Sequence, residues 1–111
     1  MTIQLEVVGA ASTLSLTPSG ESIVGRRDPI SNSAPDVDLT SFAAYRMGIS
    51  RRHAALRVAD DRVELLDLGS SNGTFVNGQR LVPRQPHVLH SGDEIGLGRM
   101  LLRIRFLAAQ S

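Results

Sequence analysis

The chain has 111 residues, 12 basic against 11 acidic for a formal net charge of +1, 41% hydrophobic residues and no cysteine. That is one domain's worth of ordinary globular sequence; it excludes a disulfide scaffold, a thiol nucleophile and a cysteine-ligated zinc, and charge this balanced argues against general nucleic-acid binding. No apolar run approaches the ~20 residues that span a bilayer, and Met1–Glu6 lacks the basic start and apolar stretch of a signal peptide, so the expectation is a cytoplasmic chain without membrane insertion.

From the N-terminus onward the hydrophobic pattern has period two. Ile3, Leu5 and Val7 alternate with Gln4 and Glu6, and Leu14 and Leu16 flank Ser15. Each pattern is that of a half-buried strand. Short strands follow at Ser22–Val24 and Val37–Leu39. Ala54, Leu56 and Val58 carry the next, which places His53 on the opposite face with Ala55 and Arg57. Further strands are predicted at Arg62–Leu66, Phe75–Val76, Gln79–Leu81, His87–Leu89 and Glu94–Leu97, and a last one through Leu102, Ile104 and Phe106. Asn77-Gly78 is the dipeptide of a two-residue type I′ hairpin, and Ser91-Gly92-Asp93 separates two more strands. No segment carries ten residues of helical periodicity. About eleven short strands cut by glycine-bearing turns predict an all-β antiparallel sandwich. A single domain over 1–111, with an ordered core of about 3–107, accounts for the whole chain.

One stretch resists this reading. Residues 27–49 form a long irregular segment, and loops of that length inside compact domains are often functional. All 12 basic residues are arginine, whose planar fork fits carboxylate or phosphate bidentately.

The candidate chemistry lies in loops. The three histidines, His53, His87 and His90, lack metal-site spacing, and no nucleophile elbow is present. Gly69–Thr74 lacks the lysine of a phosphate-binding loop that opens a helix and leads into strand-like residues instead. No cofactor, metal or catalytic set is therefore expected. Gly25-Arg26-Arg27, Ser50-Arg51-Arg52-His53 and Ser70-Ser71-Asn72-Gly73-Thr74 remain, each at a strand end. Strand-end loops of a sandwich gather at its poles, and arginine forks, hydroxyls and free amides are the donors that satisfy phosphate oxygens.

In their joint order these pieces strongly resemble the forkhead-associated (FHA) domain. The chain carries Gly25-Arg26, Ser50-Arg-Arg-His53, Asn72-Gly-Thr-Phe-Val-Asn-Gly78 and Gly92-Asp-Glu-Ile-Gly-Leu-Gly98, from one end of the sequence almost to the other. The resemblance implies an FHA/SMAD-like sandwich with recognition loops at one end, binding a phosphothreonine-containing peptide or protein in a Ser/Thr kinase pathway, without catalysis. It implies phosphate contacts from Arg26, Ser50, Arg51 and Ser71, and a peptide-backbone contact from the side-chain amide of Asn72. His53 matches a buried histidine that braces the loops; Gly25, Gly73, Asn77 and Gly78 match architectural positions, and Thr74 reads as structural. Gly48, two before Ser50, stands where some relatives carry a side chain that reads the residue three places after phosphothreonine. Such modules are often fused to other domains in larger proteins. The competing reading keeps the sandwich but makes it a phosphate-independent interaction or self-association scaffold.

Overall fold

A computed structural model describes residues 2–17 and 20–107. Its elements are β1 (Thr2–Val7), β2 (Thr13–Leu16), β3 (Glu21–Gly25), β4 (Val37–Asp38), a 3₁₀ turn at Thr40–Phe42, β5 (Arg52–Ala59), β6 (Arg62–Asp67), β7 (Thr74–Val76), β8 (Gln79–Arg80), β9 (His87–Leu89), β10 (Glu94–Leu97) and β11 (Met100–Leu107). They form two sheets, one of six strands in the order β2-β1-β11-β10-β7-β8 and one of five in the order β4-β3-β5-β6-β9.

Alternation makes the sandwich. Ile3, Leu5 and Val7 of β1, with Leu102 and Ile104 of β11, are buried on one inner face; Val24, Leu56, Val63 and Leu65 are buried on the other. Burying an aliphatic side chain of this size contributes about 1.5–3 kcal/mol. The void left between Leu5, Val24, Leu56, Leu65, Ile95 and Leu97 is about 10 Å³, too small to loosen the packing. The predicted hairpin is present: Val76 pairs with Gln79 across Asn77 (φ 50°) and Gly78 (φ 84°), the two positive φ values that a type I′ turn requires.

Two local features depart from the sequence reading. The sandwich is not wholly antiparallel, because β4 lies parallel to β3, pairing Val24 with Val37 and Gly25 with Asp38. A two-residue strand carries too little pattern to reveal its direction. On β5 the register steps from Val24↔Ala54 to Gly25↔Arg52, leaving His53 without a partner. Such a bulge re-aims the extra side chain, so strict alternation fails at His53; it is fully buried, as are Ala54 and Ala55. Among the described residues no helix is long and apolar enough to cross a membrane.

Candidate functional site

The ends of β3, β5 and β7 bring three loops to one pole. At the end of β3, a Cβ on Gly25 would collide with the backbone carbonyls of Arg51 and Ser50. Glycine therefore permits the approach that lets the Arg26 amide donate to the Arg51 carbonyl at 3.2 Å. The Arg26 side chain reaches the same loop, its Nε donating to the Ile49 carbonyl at 2.8 Å. The guanidinium carbon lies 5.1 Å from the ring centre of Tyr45, which is 79% exposed, within cation–π range. Arg26 and Ser50 thus stand at the same end of the molecule.

His53 is the bolt of this assembly. Its Nδ1 accepts from the Ser50 amide at 3.0 Å, so Nε2 carries the proton and donates to the Gly73 carbonyl at 2.8 Å. Burial holds its pKa below the usual 6.5, against the Gly73 carbonyl and Asp67, which favour the charged form. The Gly73 carbonyl also accepts from the Gly98 amide at 3.0 Å, and the Arg99 amide donates to Met47 at 2.8 Å. The Ser50 loop, the Ser71–Gly73 loop and the β10–β11 turn are therefore fastened together.

On the outer side the Ser71 amide approaches the Ser50 hydroxyl at 3.4 Å, and the Asn72 Nδ2 donates to the Gly48 carbonyl at 2.9 Å. An asparagine amide has a second N–H and an Oδ1, which leaves Asn72 further hydrogen-bonding capacity. Gly48 has φ +79°, and a Cβ there would meet the Asn72 amide nitrogen at 2.7 Å. The space expected for a side chain at position 48 belongs to Asn72.

Beneath the Ser70–Thr74 loop lies a residue that the sequence reading missed. Asp67, 2% exposed, accepts from the Gly69 and Ser70 amides, from the Ser70 hydroxyl at 2.5 Å and from the Thr74 hydroxyl at 2.6 Å. Burial alone would raise its pKa, but these donors hold the carboxyl below its usual range. Its signal was the Asp67-Leu68-Gly69-Ser70 pattern of a side chain bonding its own following backbone. Thr74 is fully buried with its hydroxyl on this carboxylate. Asn77 and Gly78 sit apart, at the far end of β7 from Gly73. Asn77 there bonds Asp93 and Glu94, bracing the hairpin against β10 instead of touching the three loops.

Two clefts open at this pole. One, of about 310 Å³, is lined by Arg26, Arg51 and Arg52 with Asp28 and residues 33–35. Arg51 lies 3.7 Å from Asp28, and Arg27 lies 3.4 Å from Asp38, outside that lining. The Ile30 amide, with Ser31 and Arg51, holds the Asp28 carboxyl below its usual range. The other cleft, of about 380 Å³, lies past Gly48 and Asn72 between Tyr45, Arg46, Phe75 and Arg99, where Arg99 donates to the Arg46 carbonyl. The first cleft is walled by three arginines and the second by two.

A family model described as FHA domain matches residues 22–98. The chain is 38% identical over 99 residues to Protein FraH of Nostoc sp. (strain PCC 7120), covering 89% of this chain and 34% of that protein. It is 33% identical over 105 residues to the glycogen accumulation regulator GarA of Mycolicibacterium smegmatis, covering 85% and 65%. These curated relatives are therefore longer, and the chain spans between a third and two thirds of their length. Among solved structures, one from a study of phosphothreonine-dependent FHA domain interactions superposes with a TM-score of 0.75 at 29% identity, covering 98% of this chain and all of that one.

Proposed function

The chain belongs to the FHA domain family, and from that membership we propose that it is a non-catalytic module binding phosphothreonine-containing peptides or proteins in cytoplasmic Ser/Thr kinase signalling. The observation that carries the proposal is one pole where His53 fastens the Ser50 loop to the Ser71–Gly73 loop while Arg26 is tied to the Ile49 and Arg51 carbonyls of the same Ser50 loop. In this reading the terminal guanidinium nitrogens of Arg26, the Ser50 hydroxyl, Arg51 and Ser71 grip the phosphate, and Asn72 holds the peptide backbone. Gly25, His53, Gly73 and Thr74 keep those groups in place, with Asn77 and Gly78 steadying the hairpin behind them. In this reading the module is a single domain over 1–111 with its core at about 3–107, and the longer curated relatives fit a module of the kind that is fused to other domains.

The energetics are adequate. Phosphothreonine brings about −1.5 to −2 charge and three acceptor oxygens. Each charge-assisted hydrogen bond contributes about 1.5–3 kcal/mol net, and micromolar binding is about −8 kcal/mol, so a handful of such bonds suffices. Past Asn72, Arg46 and Arg99 favour an acidic side chain elsewhere on the peptide.

Titrating a phosphothreonine peptide library, with unphosphorylated controls, tests the proposal. Micromolar, phosphate-dependent binding is expected, weakened by about tenfold or more in Arg26→Ala and Ser50→Ala, since one charge-assisted bond exceeds 1.4 kcal/mol. Equal affinity for both peptide forms would instead mark a phosphate-independent scaffold.

A further inference from the structure

We propose that Tyr45 is a positioning residue for phosphate recognition, its exposed ring holding the Arg26 guanidinium in place without neutralising it; this rests on reading Arg26 as a phosphate ligand. Tyr45 lies outside the motif residues that mark the family.

The ring is presented by a closed turn. The Met47 amide donates to the Ala43 carbonyl at 3.0 Å, the Gly48 amide to the Tyr45 carbonyl at 3.2 Å and the Ile49 amide to the Ala44 carbonyl at 3.0 Å. Ala44 and Ile49 are buried in the core, while Tyr45 between them is 79% exposed. An aromatic side chain held this far out of the core gains little from burial. What it meets instead is a cation, the Arg26 guanidinium carbon standing over the ring at 5.1 Å from its centre.

Arg26 is thus held twice from one segment, by the ring and by the Ile49 carbonyl, which accepts from its Nε at 2.8 Å. A single hydrogen bond lets a long side chain swing about it. A second contact on the same turn restricts that freedom before a ligand arrives, so binding has less side-chain ordering to meet.

The kind of partner matters as much. Arg27 faces Asp38 and Arg51 faces Asp28, whereas among the described residues Arg26 has no carboxylate at ion-pair distance. A carboxylate would offset its charge and would have to yield to an incoming phosphate. A ring attracts the cation through its π face and carries no net charge, and phosphate takes the N–H donors. Ring and phosphate therefore use different parts of the guanidinium.

The test titrates a phosphothreonine peptide lacking tyrosine and tryptophan, and its unphosphorylated form, into wild type, Tyr45→Phe, Tyr45→Leu, Arg26→Ala and the Arg26→Ala/Tyr45→Leu double variant. Melting temperatures are measured alongside, and Tyr45→Ala is the second variant should Tyr45→Leu not fold. Phenylalanine keeps the ring and should bind the phosphopeptide within about twofold of wild type. Leucine keeps apolar bulk without the π face and should bind about two- to fivefold more weakly, the worth of an exposed cation–π contact. In the Arg26→Ala background the same change should cost nothing, because the two residues act as one. With one tyrosine and no tryptophan in the chain, intrinsic emission reports this ring, and Arg26→Ala should alter it in the unliganded protein. Wild-type affinity in folded Tyr45→Leu, an equal loss with and without Arg26, or emission indifferent to Arg26→Ala each overturns the role of Tyr45 alone. A wild-type protein that ignores phosphorylation overturns the phosphate reading, and this role with it.

Discussion

Position 48 is where the absence of a side chain has structural work to do. The sequence motif marks Gly48 as a missing reader of the bound peptide, and its backbone and neighbours explain why nothing larger fits. Its φ of +79° is strained for any residue with a Cβ, and that Cβ would press on the Asn72 amide that the Gly48 carbonyl orients. Gly48→Ala should therefore lower unfolding stability by about 1 kcal/mol or more and weaken phosphopeptide binding through a displaced Asn72. Denaturant unfolding and peptide titration on the same variant measure both; an unchanged affinity would separate Asn72 from the peptide. Asp67 teaches the opposite lesson. In sequence only its bonds to the backbone that follows are signalled; nothing local announces that Thr74, seven residues on, will bury its hydroxyl on it.

Among the elements, β5 decides most. Its bulge takes His53 out of the alternation and sets the ring between the Ser50 amide and the Gly73 carbonyl. Both bonds are made by the neutral ring, and its pKa lies below 6.5. The unfolded chain therefore takes up a proton that the folded state resists. The contribution of this residue to stability is complete above pH 6.5 and is lost as pH falls from there toward the folded pKa. Melting temperature should decline over that window in wild type and less in His53→Gln, which starts from a lower stability throughout. Loss from carboxylates such as Asp67, whose pKa lies below 3.8, belongs to a separate, more acid range. The segment read as one long loop is likewise organised by partners elsewhere. Asp36 accepts from the Ile23 amide, the Leu39 amide donates to Gly25, and the Thr40 hydroxyl accepts from the Arg27 amide. Each of these bonds closes a gap of thirteen or fourteen residues, which no local pattern encodes.

At the scale of the whole molecule, the sandwich core and the three-loop pole are built from different residues. Leu56, 1% exposed in the middle of β5, packs between the sheets and does not line the arginine cleft. Leu56→Ala should cost about 2–5 kcal/mol of unfolding free energy yet leave phosphopeptide affinity unchanged where the variant stays folded. Calorimetric melting and titration check the two halves; a parallel loss of affinity would mean that the core tunes the site. Period-two alternation and the Asn77-Gly78 turn are short-range properties of a chain, so the sequence by itself determined the strands, the sandwich and the motif residues that mark the family. Which way a two-residue strand runs, where a bulge falls and which carboxylate meets which arginine depend on loops closing over long separations. Those were decided only when the two sheets packed and carried residues 26, 50 and 72 to the same end.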